Sequence, residues 1–116
     1  MRTYTDTKPI VSGFVYVLLD QSGRRKLGKT TNSVEKRVKQ LQTGNAEQIT
    51  IEYRLAVNDM RRAETAIHAL FAASRLRING EWFNLSESEL ILLKKVFKAA
   101  NTTVAEEKHL TMLGLR

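Results

Sequence analysis

A short hairpin near the amino terminus constrains this chain more than any other feature. Residues 14–19 (FVYVLL) form an apolar run with β-branched and aromatic side chains, which predicts a strand. Residues 20–23 (DQSG) favour a tight turn, and residues 24–30 (RRKLGKT) predict a second strand beside the first. Two strands joined by so short a turn are antiparallel, so we expect the domain to begin with an antiparallel sheet.

The segment from Gly23 to Thr30 also matches, letter for letter, the phosphate-loop pattern G-x-x-x-x-G-K-[ST]. A phosphate loop follows a buried parallel strand and leads straight into a helix, so that backbone N–H groups surround the phosphates. Here the first glycine lies in a hairpin turn, and the bulky residues after it suit a strand. We therefore predict that the chain binds neither ATP nor GTP.

The rest of the chain alternates helices with extended segments. A helix is predicted from Asn32 or Ser33 to about Gln42, and Gly44 is expected to take the left-handed position after it. The later predicted elements are a strand at 49–57, a helix that Asn58 or Asp59 caps and that ends near Ser74, an extended segment at 81–85, and a helix from the capping box at 86–89 to about Ala100.

The predicted fold is α/β, with a small antiparallel three-stranded sheet flanked by helices in the order β-β-α-β-α-β-α. We divide the chain into an N-terminal extension at 1–12, a domain at 13–100 and a C-terminal tail at 101–116, which is expected to form a weak helix or to fray. Cysteine is absent, which excludes disulfides.

The net charge is +7, and its positive part is concentrated in one stretch. Residues 24–39 contain seven basic residues and one acid, Glu35. Such a cluster favours a polyanion, with nucleic acid ahead of the others, because each phosphate that is neutralised releases counterions; a solvated basic face is the alternative. No apolar run approaches the roughly 18 residues of a membrane span, and the start lacks a signal peptide's apolar stretch, so we expect a cytoplasmic protein without a membrane partner.

Several short motifs follow one another along the chain. FVY (14–16) lies in the first strand and KLG (26–28) in the second, and Arg37 lies in the helix segment VEKRVKQLQTG. AETAIHALF, which contains Glu64, and GEWFNL complete the series. In this order and spacing the motifs resemble the GIY-YIG nuclease superfamily, in particular its branch of small phage and bacterial DNA-binding domains. The resemblance covers roughly residues 13–85.

This resemblance implies a metal-dependent DNA endonuclease. Tyr16 would deprotonate or orient the attacking water, and Arg37 would stabilise the charge of the pentavalent phosphate. Glu64 would hold one Mg²⁺ or Mn²⁺ ion, because Mg²⁺ is usually held by one or two carboxylates together with substrate phosphate. Asn84 matches the superfamily's late active-site asparagine.

Helical periodicity also places Arg37 and Glu64 without the resemblance. Val34, Val38 and Leu41 define the buried side of the first helix, and Arg37 lies on its border, where it can present its guanidinium to a phosphate or to solvent. Glu64 borders the apolar side of the second helix in the same way. It is expected to be either an ion-pair partner, with Arg37 as one option, or a ligand for a hard cation.

The chain departs from the superfamily pattern at two positions: Lys26 stands where the second motif has tyrosine, and Leu41 where a histidine often follows the arginine. Lys26 or Lys29 is expected to lower the pKa of the motif tyrosine or to clamp a phosphate. The alternative function is a non-catalytic DNA-binding module. A domain this small would recognise DNA structure, or use a homodimer or partner protein. The predicted substrate contacts are Lys29, Lys36, Lys39, His68 and Asn84.

Overall fold

The structure, a computed structural model, describes residues 9–76 and 81–99. Its elements, in chain order, are β1 (Gly13–Leu19), β2 (Arg25–Thr30), α1 (Val34–Thr43), β3 (Thr50–Val57), α2 (Met60–Leu70), a 3₁₀ turn (Ala72–Ser74), β4 (Trp82–Phe83) and α3 (Glu87–Ala99). The four strands of this part of the chain form one antiparallel sheet in the order β3-β1-β2-β4.

The predicted α/β class and the predicted order of elements are confirmed. The sheet has a fourth strand because the short extended segment β4 pairs with the start of β2. The predicted C-terminal tail and most of the N-terminal extension lie outside the described residues. Within 9–76 and 81–99, no helix has the length and apolar character needed to cross a membrane.

The β1–β2 turn depends on Asp20 and Gly23. The buried Asp20 carboxylate accepts hydrogen bonds from the backbone N–H groups of Ser22 and Arg24 and from the Ser22 hydroxyl. Gly23 has φ 91°, a left-handed torsion that glycine adopts without steric cost. Residues 25–30 then run as an antiparallel strand, so the backbone geometry of a phosphate loop does not form in this segment.

Helices cover both faces of the sheet because side chains alternate along β1. Val15 and Val17 point to the face on which α2 and α3 pack, and they belong to the larger core cluster with Ile67 and Leu93. Tyr16, Leu18 and the α1 residue Val34 form the smaller cluster on the opposite face. Tyr16 is therefore on the α1 side of the sheet.

Side-chain caps define the starts of all three helices. Ser33 accepts from the Lys36 N–H at the start of α1, and Asp59 accepts from the Arg62 N–H at the start of α2. At α3 the predicted capping box is confirmed, since Ser86 and Glu89 exchange side-chain-to-backbone hydrogen bonds in both directions.

The first helix ends at Thr43, close to the predicted end, but two other predictions about helix ends were wrong. Gly44 has φ −101° rather than a left-handed torsion, and its N–H donates to the Leu41 carbonyl instead. The second helix ends at Leu70 rather than near Ser74, because the chain tightens there into the 3₁₀ turn at Ala72–Ser74.

Candidate functional site

Tyr16 lies in the middle of β1, directly opposite Gly28 on β2. A Cβ atom added at Gly28 would stand 2.5 Å from the Tyr16 hydroxyl oxygen, so the tyrosine ring lies across the glycine. The packing leaves Tyr16 only 1% exposed. Gly28 has no positive φ, and its lack of a side chain is needed here for space rather than for backbone torsion.

Arg37 on α1 contacts the Tyr16 hydroxyl. Its Nε donates to the tyrosine oxygen at 3.4 Å, and one terminal nitrogen donates to the Gln40 side chain at 3.3 Å. Burial raises the pKa of Tyr16 above its ordinary value, the hydrogen bond and charge of Arg37 oppose this rise, and the charges of Glu81 and Glu64 add to it. Tyr16 is thus protonated at neutral pH, and the cation with the largest lowering effect is Arg37 rather than either lysine of β2.

Glu64 projects from α2 and is buried, with 8% of its surface exposed. Its Oε1 lies 2.8 Å from the Nζ atom of Lys29 on β2. Its Oε2 is buried and has no hydrogen-bond partner among the described residues. The ion-pair option for Glu64 is therefore realised with Lys29 and not with Arg37.

Four further contacts lie along the side of β2 that faces away from β1. Lys26 pairs with Glu81 at 3.2 Å and lies over the Trp82 ring. His68 lies with Nε2 2.6 Å from the Leu27 carbonyl oxygen, which ties α2 to the strand. The Leu27 N–H in turn donates to the backbone carbonyl of Glu81. The edge of β2 is thus held by α2 on one side and by the segment before β4 on the other.

The seven basic residues of 24–39 divide into two groups. We call the first group the hairpin cations (Arg24, Arg25, Lys26 and Lys29) and the second the helix cations (Lys36, Arg37 and Lys39). Each hairpin cation pairs with a carboxylate: Arg24 with Asp20 and Glu47, Arg25 with Glu52, Lys26 with Glu81, and Lys29 with Glu64. The helix cations make no ion pair within the described part of the chain, and Lys36 and Lys39 are exposed.

The fold brings the predicted site residues together in two contacting pairs. Tyr16 contacts Arg37, and Glu64 contacts Lys29, the residue that follows Gly28 beneath the tyrosine ring. The Glu64 charge is close enough to raise the pKa of Tyr16. Sequence reasoning missed the spacing role of Gly28, for which its place in the KLG motif was the available signal.

Asn84 and Glu81 lie beside the end of β2 rather than within either contacting pair. Asn84 is exposed, and its backbone N–H donates to the Ser74 carbonyl, which fixes the chain after β4. Glu81 was not predicted as a site residue, and no sequence pattern marks it as the partner of Lys26.

The carboxylate donor set bears on which metal ion fits. No group of three or more His, Cys, Asp or Glu side chains is arranged to hold a metal ion within 9–76 and 81–99. Glu64 offers a single carboxylate, whose buried Oε2 has no hydrogen-bond partner among residues 9–76 and 81–99. That donor fits Mg²⁺ or Mn²⁺, whose remaining ligands are commonly water and substrate phosphate.

These observations define a small α/β domain in which a tyrosine–arginine contact and a glutamate–lysine contact lie beside the inner strand β2. The chain belongs to the T5orf172 domain family, whose model matches residues 13–101. This domain occurs in nuclease-like proteins of phages and bacteria. No curated protein and no solved structure matches the chain.

Proposed function

We propose that this protein is a divalent-metal-dependent DNA endonuclease of the GIY-YIG type, which hydrolyses phosphodiester bonds. The observation that carries the proposal is that Tyr16 of β1 contacts Arg37 of α1 beside Gly28, and that Glu64 of α2 is near enough for its charge to raise the pKa of Tyr16. A general base, a cation and a carboxylate in one place are the groups that attack on a phosphate diester requires.

In this proposal the Tyr16 oxygen receives the proton of the attacking water as the new phosphorus–oxygen bond forms and the bond to the leaving strand breaks. The raised pKa makes the ionised form a minor species at neutral pH. Arg37 already donates to this oxygen, so it orients the hydroxyl and stabilises the tyrosinate. The same guanidinium has further N–H groups with which it stabilises negative charge on the phosphate.

Glu64 is the residue that would hold the metal ion, because its Oε2 is buried and no donor in the described part of the chain reaches it. A divalent ion bound there would supply Lewis-acid stabilisation of the scissile phosphate. Lys26, which is buried and paired with Glu81, would clamp a phosphate only after leaving that carboxylate.

The helix cations supply the proposed contacts to the DNA backbone. Lys36 and Lys39 are exposed on the helix that carries Arg37, so they can bind phosphates flanking the one that Arg37 contacts. Asn84 is exposed and free to add a polar contact, whereas His68 acts through its hydrogen bond to β2, which holds the helix of Glu64 in place.

A non-catalytic DNA-binding module is the second candidate function. Lys26 stands where the second motif has tyrosine, and in this fold it forms an ion pair with Glu81. Tyr16 is almost fully buried, which limits the access of water to its hydroxyl. Under this alternative the helix cations bind DNA and no bond is cut.

Cleavage of supercoiled plasmid and branched DNA, with Mg²⁺, Mn²⁺ or chelator, separates the two functions. We expect metal-dependent cutting that Tyr16→Phe, Arg37→Ala and Glu64→Gln each reduce by at least about 10²-fold. Tyr53→Phe is the matched control, because it removes a tyrosine hydroxyl from β3, where the ring packs on Phe97.

DNA binding by Tyr16→Phe should stay close to that of wild type, because the change removes the reactive hydroxyl group and leaves the charge of the protein unchanged. Wild-type protein that binds DNA and cuts under no metal would reject the nuclease and leave the binding module. Equal loss of cutting in Tyr16→Phe and Tyr53→Phe would reject the assignment of Tyr16.

A further inference from the structure

The Glu64 carboxylate has two oxygens in different situations. Oε1 lies 2.8 Å from the Lys29 ammonium, while Oε2 is buried and has no partner in the described part of the chain. A buried carboxylate oxygen without a donor has a desolvation cost that nothing offsets. The Oε2 atom of Glu64 can therefore accept a further ligand, and the cation that pairs with the carboxylate in this structure is Lys29.

Lys29 is better able to move than the lysine three residues before it. Its side chain is 30% exposed, compared with 10% for Lys26, which also lies against the Trp82 ring. Its four-carbon stem allows the ammonium to exchange one anion for another without a change in the backbone of β2. Glu64 has no such freedom, because its side chain is only 11% exposed.

We propose that Lys29 competes with the divalent cation for Glu64, so that the metal ion binds tightly only when a DNA phosphate has drawn the lysine away. This inference rests on the proposed function. A divalent cation on the same carboxylate would lie within a few ångströms of the ammonium and be repelled by it. A phosphate beside the site relieves that repulsion by pairing with Lys29.

The competition makes metal binding and DNA binding mutually dependent. If DNA raises the affinity for metal by some factor, the metal must raise the affinity for DNA by the same factor. Lys29 would thereby act as a positioning residue that keeps the site from loading metal in the absence of substrate.

Mn²⁺ binding tests this without a cleavage assay. Free Mn²⁺ is measured by electron paramagnetic resonance, with and without a short DNA duplex, in a Tyr16→Phe background that leaves the duplex intact. With Lys29 present, we expect the duplex to tighten Mn²⁺ binding roughly tenfold. Lys29→Gln should bind Mn²⁺ tightly without DNA and lose the coupling, whereas Lys29→Arg, which keeps a cation, should retain it.

Two controls separate the competing explanations. Lys94→Met removes the same charge from the exposed face of α3, so an equal gain in affinity there would show a general charge effect and overturn the proposal. Glu64→Gln should abolish the tight site, and circular dichroism verifies that each variant is folded.

The proposal fails if Lys29→Gln binds Mn²⁺ no more tightly than the protein with Lys29. If that result accompanies metal-dependent cutting by wild type, the nuclease function stands and the competition alone is rejected. Absence of Mn²⁺ binding in every variant, together with absence of cutting, rejects both.

Discussion

The hairpin cations and the helix cations are neighbours in the sequence, yet the fold gives them different surroundings. All four hairpin cations pair with carboxylates, three of them with acids from β3 or later segments. The three helix cations lie on α1, where the one acid of the same stretch, Glu35, contacts Arg54 on β3 instead. A basic stretch of sequence is thus not the same as a basic surface.

The difference identifies which charges can act on a polyanion. A paired cation must give up its carboxylate before it binds a phosphate, and the lost attraction offsets much of the gain. An unpaired cation on the surface has only water to lose. Of the seven basic residues expected to contact DNA, we therefore retain the three helix cations. Lys29 is added as the hairpin cation that is able to exchange its carboxylate for a phosphate.

Among the variants, Arg37→Ala should have the largest effect, and it tests whether the helix cations matter more than the hairpin cations. We expect cutting to fall by about 10²- to 10³-fold, because the variant loses both the proposed phosphate contact and the donor to Tyr16. The melting temperature should change little, since Arg37 makes one long hydrogen bond to the tyrosine. A cutting rate within threefold of wild type would show that the helix cations are no more important than the paired ones.

The pH dependence of cutting tests whether Tyr16, the tyrosine that Arg37 contacts, must ionise for the reaction. Burial raises the pKa of Tyr16 above 10.0 although Arg37 opposes the rise. Below that pKa the ionised fraction grows tenfold per pH unit, so kcat/KM should increase about tenfold per unit between pH 7 and 9. Initial rates measured at constant ionic strength check this, and a flat profile would contradict the role of Tyr16 as base.

Arg25→Met should separate stability from binding. Arg25 makes a two-pronged ion pair with Glu52, at 2.6 and 3.0 Å, that joins β2 to β3 across β1. Its loss leaves a half-buried carboxylate unpaired and should lower the free energy of unfolding by about 2 kcal/mol. Urea denaturation measures the loss of stability, and DNA affinity should remain within twofold of wild type. A large fall in DNA affinity with unchanged stability would show instead that Arg25 contacts DNA.

The smallest expected effect is that of the double variant Lys36→Gln with Lys39→Gln. DNA affinity should fall roughly tenfold near 0.1 M salt, equally for all sequences, and the slope of log K against log salt should flatten by about 2. Arg24→Gln is the control, since this exposed hairpin cation already pairs with Asp20. Fluorescence anisotropy over a salt series measures the affinity. Equal slopes for the two variants would show that helix cations and hairpin cations contribute alike to DNA binding.

Local features of this fold were predictable because they depend on neighbouring residues. The turn at Asp20 and Gly23 and the capping box at Ser86 involve groups within a few positions of one another. Strand β4 was harder to predict, since two residues are too few to show an alternating pattern and the segment is a strand through its pairing with β2 and a bridge to Arg75.

The ion pairs between distant segments could not have been predicted from the sequence. Lys29 and Glu64 are 35 positions apart, and Arg25 and Glu52 are 27 apart, so their pairing depends on how the strands and α2 pack. Helical periodicity placed Glu64 beside the core, but several cations were equally available as partners. The register of β1 against β2, which sets Tyr16 over Gly28, is likewise a property of the folded sheet.

The ring of Tyr16 on Gly28 has a consequence for comparing chains by short patterns. Gly23 and Gly28 are the two glycines of the phosphate-loop match, and each is required for a different reason. Gly23 adopts a φ of 91°, whereas Gly28 leaves space for the ring of Tyr16. Asparagine, which tolerates left-handed torsions, could take the first position at modest cost. At the second, even a methyl group would displace the Tyr16 hydroxyl oxygen. A sequence pattern that treats the two glycines as equivalent therefore reads a steric requirement as a phosphate-binding loop.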